Sequence, residues 1–497
     1  MKITQVLYVL FSLVTATLAF HPFEKHWQNS EYEKSVDVSK SFVKERHDIN
    51  ALNIHGKPQS KYVFGLEKSL EFDTSLLLGL YKDTSGKTAM LKSHKLDIYD
   101  DDFVYYNIIF PYPIAPGSYF KFSISLILIN QMVPYPEHIP MADDQVLKLT
   151  TNAYPSSPYD TLAYTLGFIS AADFNELINT ELPYSLQRND LSSSVLYKAT
   201  EPIPGDSILD FSITYTRTAP LTFVNTLVRD LWVSHWSSSL QLEEYYEVTN
   251  NGAKLDKGFS RVDYFNEKLM MKPHHAITAL RIPFDQSKTI FTDSLYYVDK
   301  VGNVSTSQYY EKELIIRPRF PVFGGWNYNF TIGWNSDLKD FLKRENEDTY
   351  VLSTHILDGI RDATYQDITL NIYLPEGAEL VDYALPFVSD DIKVSHEYSY
   401  LDIEKGHLKL TFNFDNIVDE MKNLELVVRY KYSSFNMIEK PLQAAFYIFL
   451  ALMGLYVLKK IDLSIKPTKN GKLIKEEDEF EEEKKSNVDE IIDVADE

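Results

Sequence analysis

Catalysis needs particular residue types at particular spacings, and this chain offers few such sets. A zinc-peptidase helix would carry His-Glu-x-x-His, with two imidazoles on one face and a glutamate as base. The pair His396-Glu397 begins that pattern, but Tyr400 stands where the second histidine belongs, and the surrounding VSHEYSYLDI reads as strand or loop. His274-His275 follows Pro273 and reads as a surface turn. A hydrolase would need a Gly-x-Ser-x-Gly elbow, and a nucleotide enzyme a Gly-rich phosphate loop. Neither occurs, and GFSRVDYF (Gly258 to Phe265) lacks the further glycines. Transfer from a lipid diphosphate wants carboxylates to hold a divalent cation. Asp100-Asp101-Asp102, Asp143-Asp144 and Asp390-Asp391 are the acidic runs, but each lies beside turn residues, where a solvated loop accounts for it. The chain has no cysteine, which excludes thiol catalysis, Cys–zinc sites and iron–sulfur clusters. No catalytic residue, metal or cofactor is expected.

Other residues suggest modification and contact. Asn303-Val304-Ser305 and Asn329-Phe330-Thr331 are N-glycosylation sequons if they reach the secretory lumen. The threonine favours Asn329 over Asn303. Asn329 lies in RPRFPVFGGWNYNFTIGW, where Gly324-Gly325 permits a tight turn. Beyond it Trp326, Tyr328, Phe330 and Ile332 alternate with Asn327, Asn329, Thr331 and Gly333, so the sequon should face away from the aromatic stripe. In DLWVSHWSSSLQLEEYY, Trp232, Trp236, Tyr245 and Tyr246 stand near Glu243 and Glu244. They could form an interface for a subunit or an extended nascent chain; packing in a core is the plainer account.

The two ends set the topology. Lys2, an apolar run from Val6 to Leu18, and small residues at Thr17 and Ala19 fit a signal peptide over 1–19, cleaved between Ala19 and Phe20. Near the other end, Leu442 to Leu458 carries no charge. That is roughly 26 Å of helix, enough for a thin bilayer. A transmembrane helix over 441–458 is expected. Lys459 and Lys460 close it, and lysines just past a span belong on the cytosolic side. Residues 459–497 then form a lysine-rich and later acidic tail that reads as disordered. The expected product is a single-pass type I protein of the endoplasmic reticulum membrane, with the bulk of the chain lumenal. A net charge of -22 argues against nucleic acid as a partner.

Between the ends, period-two alternation dominates, as in YFKFSISLILIN, SILDFSITYTRT, GHLKLTFNF and LELVVRYKY, which marks half-buried strands. DDQVLKLTTNAY and AADFNELINTEL could be short helices. Lys44–Pro58 and Gln241–Leu255 echo one another, each placing alternating apolar residues before an Asn and then a Gly. The expected fold is mainly β, with two tandem β-sandwich-like lumenal domains over 20–230 and 231–440.

Several long blocks resemble the ribophorin I family. They are RDLWVSHWSSSLQLEEYYEVTNNGAKLDKGFSR (Arg229 to Arg261), VPYPEHIPMADDQ (Val133 to Gln145), IRPRFPVFGGWNYNFTIGW (Ile316 to Trp334), YLPEGAEL (Tyr373 to Leu380) and KPLQAAFYIFLALMGLYVLKK (Lys440 to Lys460). The resemblance runs from about Trp27 to Ile461; the acidic tail beyond departs from short-tailed fungal members. It implies a non-catalytic subunit of the oligosaccharyltransferase, which moves a preassembled oligosaccharide from dolichyl diphosphate to Asn in Asn-X-Ser/Thr of nascent chains. It further implies two lumenal β domains resembling the non-catalytic N-terminal domain of zinc aminopeptidases. The implied partners are a multi-span catalytic subunit, a small two-helix subunit, other subunits, membrane lipid and nascent polypeptides. The role would be structural and substrate-presenting. A type I receptor or adhesion protein, or a lectin-like chaperone, are the alternatives.

Overall fold

The structure, a computed structural model, describes residues 24–461 apart from 84, 178–183, 190–193, 270–274, 387–391, 400–401 and 403–405. The signal-cleavage pair Ala19 and Phe20, and the tail beyond Ile461, lie outside the described residues. Residues up to Ser433 form one compact unit, and those from Ser434 a second.

The first unit is built twice over from the same seven strands. In the first half these are β1 (Trp27–Asp37), β2 (Val43–Asn53), β3 (Tyr119–Leu128), β4 (Val146–Asn152), β5 (Tyr164–Ile169), β6 (Ser194–Ala199) and β7 (Asp210–Thr216). In the second they are β8 (Thr222–Ser234), β9 (Ser239–Asn250), β10 (Asn327–Asp337), β11 (Thr349–His355), β12 (Ala363–Leu374), β13 (His407–Val418) and β14 (Glu425–Lys431). The large sheets run β6-β5-β1-β2-β3 and β13-β12-β8-β9-β10, each with further strands outside this common set. In each, the first strand pairs antiparallel with the second and parallel with the fifth. The small sheets are built on the antiparallel pairs β4-β7 and β11-β14.

The correspondence extends to detail. β1 bulges between Asn29 and Glu31, and β8 bulges between Val224 and Thr226. β2 ends on Asn53 and β9 on Asn250, both buried. Each side chain accepts the N–H of the residue two further on, and donates 2.8–2.9 Å bonds to the carbonyls of Ile114 and Val322 respectively. Each main-chain carbonyl accepts the N–H of a glycine with positive φ, Gly117 (+73°) or Gly325 (+77°). Only glycine takes that conformation without strain. The two echoing segments of the sequence are thus β2 and β9 with the turns that succeed them.

Alternation makes each strand two-faced. β2 buries Val43, Ile49 and Ala51, while β10 buries Tyr328, Phe330, Ile332 and Trp334. In the first half one apolar core joins both layers: Val36, Ile49, Ile124 and Leu126 from the large sheet meet Leu147, Leu149, Phe211 and Ile213 from the small one. Two expected helices are strands: DDQVLKLTTNAY contains β4, and AADFNELINTEL contains the strand Ala172–Glu176. Both have strand neighbours, and ladder pairing outweighs local propensity.

Polar contacts join the halves. Arg217 donates to the Ser39 carbonyl (2.6 Å) and to Asp362 (2.7 Å). Buried Gln145 accepts the Ala253 N–H at 2.7 Å. His138–Ile139 pairs parallel with Lys254–Leu255. Residue 230 falls within β8, which pairs only inside the second large sheet.

A short α-helix, α1 (Arg261–Leu269), also belongs to the first unit. In the second unit α2 (Ser434–Lys460) spans 27 residues and holds an 18-residue stretch of mean hydropathy 1.8, long and apolar enough to cross a membrane. Pro441 lies inside it and lacks the N–H its turn would use.

Candidate functional sites on the second half

Asn329 lies mid-strand in β10, opposite Glu247 of β9. Its neighbours Tyr328 and Phe330 are buried, so the aromatic stripe points inward and Asn329 outward. The carboxamide is half-buried and donates to the Tyr245 hydroxyl at 3.1 Å and to Glu247 at 3.5 Å. Asn303 has a different setting. It is exposed in the two-residue strand Gly302–Asn303 at the edge of the large sheet, beside buried Val304. Arg319, held by Asp299, donates to the Asn303 carbonyl at 3.3 Å and leaves the asparagine side chain in solvent.

The four aromatics of DLWVSHWSSSLQLEEYY do not converge. Tyr246 is fully buried, stacks on Phe330 with ring centroids 5.0 Å apart, and donates to Glu244 at 2.6 Å. It is core, as the plainer of the two accounts has it, which corrects the alternative place in an interface: strand parity sends it inward with Leu240 and Leu242. Tyr245, one residue earlier, faces outward beside Asn329. Trp232 is half-buried on the outer face of β8, stacked on Tyr373 of β12 at 3.8 Å and 2°. Lys409 of β13 sits over that same Tyr373 ring, 5.1 Å from its centroid. Trp236 occupies the β8–β9 turn and is 63% exposed.

The residues weighed for catalysis have structural surroundings. His396 and Glu397 are consecutive on the edge strand Ile392–Glu397, where neighbours project to opposite faces and cannot share one ion. Tyr400, His274, Asp390 and Asp391 lie outside the described residues. Asp100 accepts the N–H groups of Asp102 and Phe103, which is a turn's own bonding.

Two buried ionic clusters gave no sign in the sequence motifs. Lys34 of β1 and Arg229 of β8 each lie four residues beyond the residue that bulges, Ser30 or Asn225, and are almost fully buried. Lys34 pairs with Glu45 at 3.1 Å and donates to Thr151 at 2.9 Å, and Glu45 lies 3.4 Å from His47. Against a burial penalty, the Lys34 charge holds Glu45 down at about 2. Arg229 pairs with Glu244 at 2.9 Å and Asp358 at 2.6 Å. Burial pushes Glu244 up; at Asp358 burial is the largest single influence, and only Arg229 and His355 together overcome it and hold that carboxylate low. The signal available in sequence was a charge at inward parity between apolar residues, as Arg229 lies between Leu227 and Leu231. Glu24, His26 and His55 also bring ligand atoms within 4.8 Å of one another at the start of β1, a grouping that spacing in sequence did not suggest.

The Ribophorin I family model matches residues 27–459, which takes in both β halves and nearly all of α2. Subunit 1 of the dolichyl-diphosphooligosaccharide–protein glycosyltransferase of Caenorhabditis elegans is 26% identical over 447 residues, 89% of this chain and 74% of its own length. Subunit 1B of Arabidopsis thaliana is 27% identical over 447 residues, 87% of this chain and 92% of its own. Among solved structures, an M1 zinc metallopeptidase from Deinococcus radiodurans is 9% identical with a TM-score of 0.23, over 42% of this chain and 48% of that one. Native yeast LTA4 hydrolase is 10% identical with a TM-score of 0.25, over 41% and 31%. At such scores the overlap fixes no residue correspondence. On the match over 27–459, the chain belongs to the ribophorin I family.

Proposed function

We propose that the chain is a non-catalytic, single-pass subunit of the oligosaccharyltransferase of the endoplasmic reticulum membrane. The observation that carries this is the family match, unbroken from the first strand through α2 and shared with relatives named as subunit 1 of that enzyme. Support for a non-catalytic role comes from the side chains: Asp100 bonds within its own turn, and the buried charges of Lys34, Glu45, Arg229, Glu244 and Asp358 are paired with one another inside the two halves.

The β unit lies in the lumen, and Lys459 and Lys460 mark the cytosolic end of the span. The β unit comprises two domains that divide in the segment 217–221, between β7 and β8, rather than at 230. The outer face around Trp232, Tyr245 and Trp236 meets other subunits, nascent chain or lipid. Asn303 and Asn329 are acceptors of the complex's own product. Exposure favours Asn303, where a glycan leaves the edge of the sheet into solvent, over Asn329, where it would lie along the sheet.

Depletion of the chain in cells tests the role. Hypoglycosylation of a multi-sequon secreted reporter, restored by re-expression, is expected. Full reporter occupancy after depletion contradicts it.

A further inference from the structure

The duplication supplies an internal comparison at the point where β1 begins and β2 ends. In the first half Trp27 pairs with Asn53, and in the second Thr222 pairs with Asn250. The bonding beside each pair is the same. Ile54 donates its N–H to the His26 carbonyl at 3.1 Å, and Asn251 donates to the Leu221 carbonyl at 2.9 Å. His55 donates its N–H to the Asn53 side chain, and Gly252 to that of Asn250, both at 2.9 Å. His26 therefore stands where the second half has Leu221, and His55 where it has Gly252. Two residues before His26, Glu24 stands where the second half has Ala219. The backbone arrangement forms equally with leucine, glycine and alanine. It does not require two imidazoles and a carboxylate.

These three side chains meet. The rings of His26 and His55 lie with centroids 4.4 Å apart at 61°. His26 Nε2 is 3.6 Å from Glu24 Oε2, and one donor atom from each of the three residues lies within 4.8 Å of the others. His55 Nδ1 is shut off from solvent and has no hydrogen-bond partner among the described residues. A buried ring nitrogen in that state calls for an explanation, of which an ion is one. Lys25, between Glu24 and His26 in sequence, is drawn to Asp160 at 2.8 Å and leaves the carboxylate to the imidazoles. Around a tetrahedral zinc ion, with bonds of about 2.0–2.2 Å, neighbouring donor atoms stand roughly 3.3–3.5 Å apart. The Glu24–His26 separation is close to that spacing, and the exposed Glu24 side chain is free to close the remainder by a change of rotamer. The histidines are fixed from behind by the bonded turn, so little order remains to be imposed on them. Two neutral imidazoles and a carboxylate suit a divalent first-row metal, whereas calcium and magnesium call for oxygen donors throughout.

We propose that Glu24, His26 and His55 form a site for a divalent transition metal, zinc by preference, that clips the chain entering β1 to the turn leaving β2. Three protein donors leave a fourth position to solvent. The clip secures a strand end, where chains otherwise fray first. The full-length protein, purified in mild detergent through a tag other than polyhistidine and stripped with a chelator, is titrated with Zn(II). A single saturable equivalent should bind at micromolar concentration or below. At a hundredfold excess over the Kd it should raise the melting midpoint by about 3 °C. Calcium at the same concentration should do neither. His26→Leu and His55→Gly copy the residues of the second half and so preserve the turn. Each should weaken Zn(II) binding at least about tenfold, while its melt in chelator matches that of the parent. Glu24→Gln alters an exposed side chain and gives the same readout free of any folding defect; it too should weaken Zn(II) binding. Absence of saturable Zn(II) binding by the parent overturns the site. So does binding indifferent to His26→Leu, His55→Gly or Glu24→Gln, or an equal response to calcium.

Discussion

At the scale of the residue, buried charges do more for this protein than its exposed ones. Arg229 is enclosed with Glu244 and Asp358, so removing the cation strands two carboxylates. Arg229→Leu should lower stability by about 3–5 kcal/mol, measured by chemical denaturation of the full chain in detergent. The same change at an exposed pair, Lys254→Leu opposite Glu137, should cost less than about 1 kcal/mol. His235 gives a dependence on pH. Burial lowers its pKa to about 4, against an unfolded value near 6.5. The unfolded chain therefore binds a proton first, and stability is lost as pH falls from about 6.5 towards 4. The shift corresponds to about 3 kcal/mol, reduced to about 1–2 kcal/mol because the ring is only half-buried and solvent screens it. His235→Phe should flatten that part of the profile between pH 7 and 5. For the sequons, Asn303→Gln should remove one endoglycosidase-sensitive increment of mass; an unchanged mobility denies that site. The sequence made the parity of Phe330 and Asn329 plain because apolar and polar residues alternate without a break. It hid the ion clusters because a charge at inward parity names no partner: Thr151 and Asp358 come from strands or loops over a hundred residues away from Lys34 and Arg229.

At the scale of the element, duplication is the organising fact. Gly117 and Gly325 close the same turn onto Asn53 and Asn250 with nearly the same φ. An added Cβ at Gly117 meets nothing within 4 Å, and at Gly325 it meets only the flexible Lys254 side chain at 3.3 Å. Gly117→Ala and Gly325→Ala should therefore each cost about 1 kcal/mol, from backbone strain alone, and the double change about twice that. A markedly unequal pair of values would contradict the equivalence of the turns. Segments that end on these asparagines were legible as an echo because the capping residue and the turn after it must be preserved to satisfy buried backbone groups. The parallel pairings β1–β5 and β8–β12 were not, since each joins strands more than a hundred residues apart and alternation carries no sign of which strand lies beside which. The short helices read in DDQVLKLTTNAY and AADFNELINTEL gave way to the strands Val146–Asn152 and Ala172–Glu176 for the same reason, being decided by neighbours distant in sequence.

At the scale of the whole molecule, two copies of a β design are joined by a polar latch and succeeded in the chain by one apolar helix. The latch at Ser39, Ser41, Arg217 and Asp362 is small, and Asp362→Ala should loosen it without disturbing either core. The expected sign is faster proteolysis in the segment 217–221, with little change in the unfolding midpoint. The helix was legible because a long uncharged run has few other uses, and the family resemblance was legible because its blocks are long and aromatic. The central claim is that this chain is a subunit of the oligosaccharyltransferase and not an enzyme by itself. Native purification of the tagged chain in mild detergent, with identification of the co-purifying proteins, tests it most directly. The account predicts stoichiometric recovery of a multi-span glycosyltransferase subunit, with transfer activity that vanishes when that subunit is stripped away. Recovery of the intact chain alone, or transfer activity that stays with the chain by itself, would contradict it.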